Sequence, residues 1–167
     1  TDRLHSTSSL IEPKLSGAQT KTYKAGRYFF DLGTQGKLTG STISTNIASS
    51  NYSPSSGNQN LQLTVDGIIS GTISITGGPY SSTTSMASAL ETAINADNIL
   101  AQKGVVVDVE YLTDKYVITS KKYGSNSSVV INSIDAGLDN YLGLNSGSSS
   151  SGSGGTVGAS LTNSALE

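Results

Sequence analysis

The chain has 167 residues, no cysteine, one histidine and a formal net charge of −2, with 13% charged and 35% apolar residues. That length allows one or two small domains with a real core, and the missing cysteines exclude disulfides, thiolate metal sites and thiol nucleophiles. A near-neutral charge gives no electrostatic case for nucleic acid or an anionic membrane, and no apolar run approaches the roughly 20 residues of a membrane span.

Ser, Thr, Gly and Asn fill the rest of the composition, which suits short strands joined by polar turns. Thr1 to Gly17 is polar, and Pro13 argues against a long helix there. His5, in that stretch, is read as a solvated residue, because a triad or a metal site needs partners at fixed geometry. Lys21 to Leu32 reads as an aromatic-rich strand interrupted at Gly26, Asp31 to Gly36 as a turn, and Ser41 to Ile47 as a weak strand. Ala48 to Gln59 is a loop of turn-forming residues.

The clearest local signal follows. Leu61, Leu63 and Val65 alternate with polar residues, Asp66-Gly67 comes next, and Ile73 and Ile75 alternate again. An Asp-Gly pair between alternating runs predicts a hairpin with a type I′ turn, which needs positive φ at both central positions. Ser82 to about Ala101 predicts one helix, with Met86, Leu90, Ala93, Ile94 and Ala101 on one stripe, a hydroxyl cap at Ser82, Thr83 or Thr84, and a stop at Gly104. Three strands follow, near Val105–Tyr111, Tyr116–Ser120 and Ser128–Ile134, with a turn at Thr113-Asp114. A short apolar piece runs from Leu138 to Leu144. Asn145 to Gly155 contains only Asn, Ser and Gly and reads as a flexible linker or a disordered loop. The residues after it read as a truncated tail, with Leu166-Glu167 as a cloning scar and the whole chain as an excised, monomeric fragment.

The fold expected is α+β and β-rich: an antiparallel sheet with one helix packed on a face. The core centres on Leu63, Val65, Ile73, Ile75, Leu90, Ile94, Val107, Val109, Ile118 and Ile131. Residues 1–58 form an N-terminal β segment that extends the sheet or makes a second small unit. Residues 59–144 form the α+β domain, and residues 145–167 the linker and tail.

Thr64-Val65-Asp66-Gly67, Ile73-Ser74-Ile75, Pro79-Tyr80-Ser81-Ser82, Ala89 to Asn95, Gly104 to Val107, Tyr116 to Ser120, Tyr123-Gly124-Ser125, Ser128 to Ile131 and Tyr141 to Leu144 occur in that order. This pattern resembles the flagellin IN repeat, named for an Ile-Asn pair matched here by Ile94-Asn95, as found in bacterial flagellins and filament-cap proteins. The resemblance covers about Leu61 to Leu144. It implies an extracellular accessory domain on a bacterial flagellum. Its partners would be the other axial subunits of the full-length parent, or a host-surface glycan or mucin. Similar segments occur in bacterial adhesins and contractile phage tails, which stay open as alternatives.

For the residues of that pattern the physical expectation is a folding role. Asp66 and Gly67 make the turn, Ile94 anchors the helix, Asn95 bonds backbone near its end, Ser120 bonds turn amides, and Gly124 allows a sharp turn. Asp108, Glu110 and Asp114 lack a calcium-loop pattern and read as a solvated strand face. Lys121-Lys122-Tyr123 reads as a polar strand end. The Asn-x-Ser sequons at Asn51 and Asn126 are common in a Ser-rich chain. No catalytic residue, cofactor or metal is expected.

Overall fold

The computed structural model describes residues 28–30, 33–43, 59–76, 78–154 and 157–159. They fall into two units. One contains the short antiparallel pair Tyr28–Phe30 (β1) and Val157–Ala159 (β10). The remaining described residues, 33–154, belong to the other, a β-rich α+β fold. Thr1 to Gly17 with His5, most of the Lys21–Leu32 run, residues 44–47 and the 48–58 loop with Asn51 lie outside the described residues.

In the larger unit, Gln35–Thr39 (β2), Asn60–Val65 (β3), Ile68–Ile69 (β4) and Ile73–Ser74 (β5) precede the helices Thr83–Asn95 (α1) and Asn98–Gln102 (α2). Val107–Leu112 (β6), Lys115–Tyr123 (β7) and Ser128–Ile134 (β8) follow, then helix Ala136–Leu142 (α3) and strand Ser149–Ser151 (β9). Instead of one antiparallel sheet there are two. One runs β2-β7-β6; the other runs β4-β3-β8-β9, with β5 also pairing β3. Their ends are zipped together where Gly33 bridges Gly154 and the Thr34 N–H donates to Ser153 O (3.0 Å). The strands thus follow one another as β6-β7-β2-β9-β8-β3-β5, with β6 and β5 as the two ends.

Binary patterning drives the collapse. Leu61, Leu63 and Val65 alternate inward on β3, and Met86, Ala87, Leu90 and Ile94 form the buried stripe of α1. All ten residues expected at the core centre are buried, each contributing about 1.5–3 kcal/mol by leaving water. Leu138, Tyr141, Leu142 and Leu144, from the short apolar piece, join the same cluster through α3.

The turns obey local sterics. Asp66 (φ 53°) and Gly67 (φ 82°) are both left-handed, as a type I′ turn requires. Beyond it the hairpin strand splits into β4 and β5, because the register against β3 slips by one residue between Ile69 and Ile73. Ser70 patches the slip: its N–H donates to Leu63 O (2.8 Å), and its hydroxyl accepts the Leu63 N–H (3.1 Å). Thr113 and Asp114 join β6 to β7 with φ of 51° and 61°, a conformation that strains a β-branched residue.

Three expectations are corrected. The single helix is two, because Asp97 ends the first and caps the second, accepting from the Ile99 and Leu100 N–H groups (3.0 Å each). The turn expected through Gly36 gives way to β2, which starts at Gln35. Gly36 is a strand glycine because a Cβ there would sit 2.7 Å from Ser128 Cα, where β2 crosses β8. The Asn145–Gly155 run is not a linker along its length, since β9 lies within it. Ser149, Ser150 and Ser151 pair with Val130, Val129 and Ser128, and a Cβ on Gly152 would meet Thr34 O at 2.1 Å. A strand with no apolar side chain has no hydrophobic period to betray it, and close backbone approach selected its glycine.

Thr113→Asn should relieve the left-handed strain and raise unfolding stability by about 0.5–1 kcal/mol in urea titrations. The buried Tyr116 phenol packs its ring against Tyr111 (centroids 5.1 Å apart), and its hydroxyl has no hydrogen-bond partner among the described residues. Burial first, then Tyr141 and Tyr111, push its pKa well above the ordinary tyrosine value. Tyr116→Phe removes an unsatisfied buried polar group and should raise the stability by about 1 kcal/mol, with no absorbance step from this phenol below the unfolding pH.

Candidate functional site

Helix α1 bridges the two ends of the strand series, and its two flanks treat them differently. Toward β6 it is sealed by long polar side chains. Asn95 donates from Nδ2 to Val107 O (3.0 Å) and accepts the Val107 N–H at Oδ1 (2.9 Å). Glu91, one turn earlier on the same face, accepts the Val109 N–H at Oε2 (2.9 Å). Together they stand in for the strand that would otherwise pair the free edge of β6. Ile94, fully buried between them, fixes the helix in place.

The other flank of α1 carries Ser88, Ala89, Thr92, Ala93 and Ala96. These short side chains leave an open groove of about 660 Å³ against Thr72, Ile73, Ser74 and Thr76, closed at its ends by Tyr80 and by Asp97 with Asn98. At one end the Tyr80 hydroxyl donates to Thr76 O (2.6 Å). At the other, Asp97 Oδ2 accepts the Gly71 N–H (3.0 Å).

A second polar joint ties the β3-β4 turn to both sheets. Asp66 accepts the Ser120 hydroxyl at both oxygens (2.8 and 2.9 Å) and the Ser128 N–H at Oδ1 (3.0 Å). Ser120, buried, in turn accepts the Lys122 N–H (3.0 Å). Gly67 stands in the same turn with open space where a Cβ would be, so its left-handed φ is what selects it. Gly124 (φ 93°) turns the chain between β7 and β8, donating to Thr34 O (3.1 Å) and accepting the Ser127 N–H (2.9 Å).

The structure therefore brings Asp66, Gly67 and Ser120 together at one joint and Ile94 with Asn95 at another, while Gly124 belongs to a third near Thr34. None of these groups faces the groove. Asp108 and Asp114 do not converge: Asp108, on β6, pairs with Lys121 on the exposed face, and Asp114, in the turn after it, accepts from the Tyr111 hydroxyl (3.3 Å). Asp108 holds the Lys121 ammonium above its usual pKa, and both groups are exposed enough that the pair adds little to stability. Among the described residues no three acidic or histidine side chains gather where they could hold a metal, and no helix is long and apolar enough to cross a membrane.

Sequence reasoning missed Glu91, Asp97, Asp135 and Ser127. Asp135 accepts the N–H groups of Gln59 (3.0 Å) and Asn60 (2.9 Å), and buried Ser127 accepts that of Gly36 (2.7 Å). Glu91 was readable, since it lies four residues before Asn95 on one helical face. Asp97 and Asp135 each stand just before a short apolar turn, the position of an N-cap. Ser127 gave no signal, because its partner is 91 residues away.

Comparison with known protein families, with curated proteins and with solved structures found no match to this chain.

Asn95→Ala strips both partners from Val107 and should cost about 1–3 kcal/mol in urea unfolding. Glu91→Gln, which keeps an acceptor for Val109, should cost less than about 1 kcal/mol. Equal losses in the two variants would mean that the edge of β6 is not held this way.

Proposed function

We propose that this chain is a non-catalytic, extracellular structural domain of a bacterial flagellar axial protein, either the filament cap or the filament. In the full-length parent it projects outward, contacts neighbouring axial subunits, and offers a surface for adhesion to host glycan or mucin. One observation carries the reading: the Ile-Asn pair of the repeat-like pattern sits where the helix is fastened to the sheet. Ile94 is buried and Asn95 makes two hydrogen bonds to Val107. That a pattern resembling a structural repeat falls on the fold's joints supports a domain selected for shape. The other pieces support this. Asp66-Gly67 and Gly124 take left-handed turns, and Ser120 binds the Asp66 carboxylate.

The composition is in keeping with an exported, assembled protein: Ser, Thr, Gly and Asn are abundant and 13% of residues are charged. An outward domain of this kind needs rigidity more than a reaction centre. Its polar side chains are spent on backbone hydrogen bonds: Asp66, Asp97 and Asp135 each hold backbone N–H groups.

Gold-labelled antibody raised against this chain should decorate flagella on cells of the encoding bacterium, at the tip for a cap protein or along the shaft for a filament protein. Labelling confined to the cell body or to a non-flagellar fibre would overturn the proposal in favour of an adhesin. Labelling only of released tail particles would point to a phage structural domain.

A further inference from the structure

We infer that the outer edge of β5, facing α1, is a strand-addition site that takes an extended, uncharged segment of a partner polypeptide. This inference does not depend on the function proposed above.

In an antiparallel pair, alternate residues turn their N–H and C=O groups to the partner and the residues between turn theirs away. The Ile75 N–H donates to Gln59 O (2.9 Å), and Ile73 pairs with Leu61. Ile73 and Ile75 are therefore spent on β3, and Thr72, Ser74 and Thr76 turn outward. Thr76 confirms the direction, since its carbonyl accepts the Tyr80 hydroxyl on that side. The backbone groups of Thr72 and Ser74 meet no protein partner among the described residues. Both residues are exposed.

An unpaired edge is ordinarily blocked by charge, by proline or by a covering element. Here the same helix shows both treatments. On the β6 side, Glu91 and Asn95 reach across and satisfy the edge. On the β5 side, Ser88, Ala89, Thr92, Ala93 and Ala96 are too short to do so, and they leave the groove of about 660 Å³, within the roughly 300–1,000 Å³ typical of ligand clefts. The edge is closed at its ends, by Asp97 on Gly71 and by Tyr80 on Thr76, so the opening has a defined length.

These features choose the occupant. A row of alternating backbone donors and acceptors is matched by another extended backbone. The lining holds no cation, and its one carboxylate, Asp97, already accepts three N–H groups. An anionic segment finds no partner there and a cationic one finds only an occupied acid. Ala89, Ala93 and Ile73 offer a small apolar floor, which suits Ala, Val or Thr at alternate positions of the segment.

The test uses the whole chain and a phage-displayed library of random heptapeptides. Enriched sequences should be uncharged, with small apolar or β-branched residues at alternate positions. A synthetic copy added to the ¹⁵N-labelled chain should shift the amides of Thr72 to Thr76 and Ser88 to Ala96, and slow hydrogen exchange at the Ser74 amide. Ser74→Pro removes the outward donor without touching the β3 ladder, a change that edge strands tolerate. It should weaken binding at least tenfold. Ser88→Arg, an exposed helix position that fills the groove from the other wall, should do the same and guards against misfolding of the proline variant. No enrichment, shifts confined to another face, or undiminished binding by folded Ser74→Pro and Ser88→Arg would each overturn the assignment.

Discussion

The larger unit depends on how one helix fills the interval between two strand edges. A strand edge carries a row of backbone donors and acceptors, and each one buried without a partner costs about 1–3 kcal/mol. A ring of strands avoids the cost by closing on itself. This chain stops short of closure and places α1 between β6 and β5. A helix has no free backbone groups along its sides, so its side chains must supply what a strand would have supplied. Asn95 is suited to the task, because its amide presents one donor and one acceptor, the same pair that Val107 presents to it.

The same constraint explains the prominence of short polar side chains elsewhere. The described strands are mostly brief, and their turns and slips leave amides that no ladder reaches. Ser70 covers the register slip of the hairpin, Ser127 covers Gly36, Asp135 covers the entry to β3, and Asp97 serves both a helix start and Gly71. Each is a carboxylate or hydroxyl accepting from main-chain N–H, the arrangement that costs least side-chain entropy per bond. A chain rich in Ser, Thr, Asn and Asp can thus be well ordered with a modest apolar content, because those residues hold the backbone together between stretches of core.

That division of labour governed what could be read from the sequence. The core was legible: Leu63, Ile75, Leu90, Ile118 and Ile131 announce themselves by period, and period is a property of neighbours along the chain. The Asp66-Gly67 turn was legible for the same reason. The two-sheet arrangement and β9 were not. Ser149–Ser151 has no apolar alternation, and its place beside β8 is set by backbone pairing with residues about 20 positions earlier, together with glycines that permit close approach. Gly36 and Gly152 resemble turn glycines in the sequence, and only their neighbours in space, Ser128 and Thr34, show that they are packing glycines. In the site, Asn95 could be singled out through a resemblance, whereas Glu91 needed the idea that a helix face can act as a strand.

The two flanks of α1 then bear on what the domain does. Sealing β6 and leaving β5 open are not equivalent outcomes of folding, because the same helix had the means to do both. A Glu or Asn among Ser88, Thr92 and Ala96 could have reached toward Ser74 as Glu91 and Asn95 reach toward β6. Short residues there keep an edge available at a cost in stability, since an exposed edge gains nothing from a ladder and invites wrong pairing. The two end-closures limit that cost, confining the opening to Thr72 and Ser74 so that a long foreign strand finds too few partners to add cooperatively. A short segment held by two residues' backbone groups and a small apolar floor binds weakly on its own. Weak sites of this kind become effective when many copies are presented together, because linked binding events raise the effective concentration of each, and the axial assembly proposed above would supply that multiplicity.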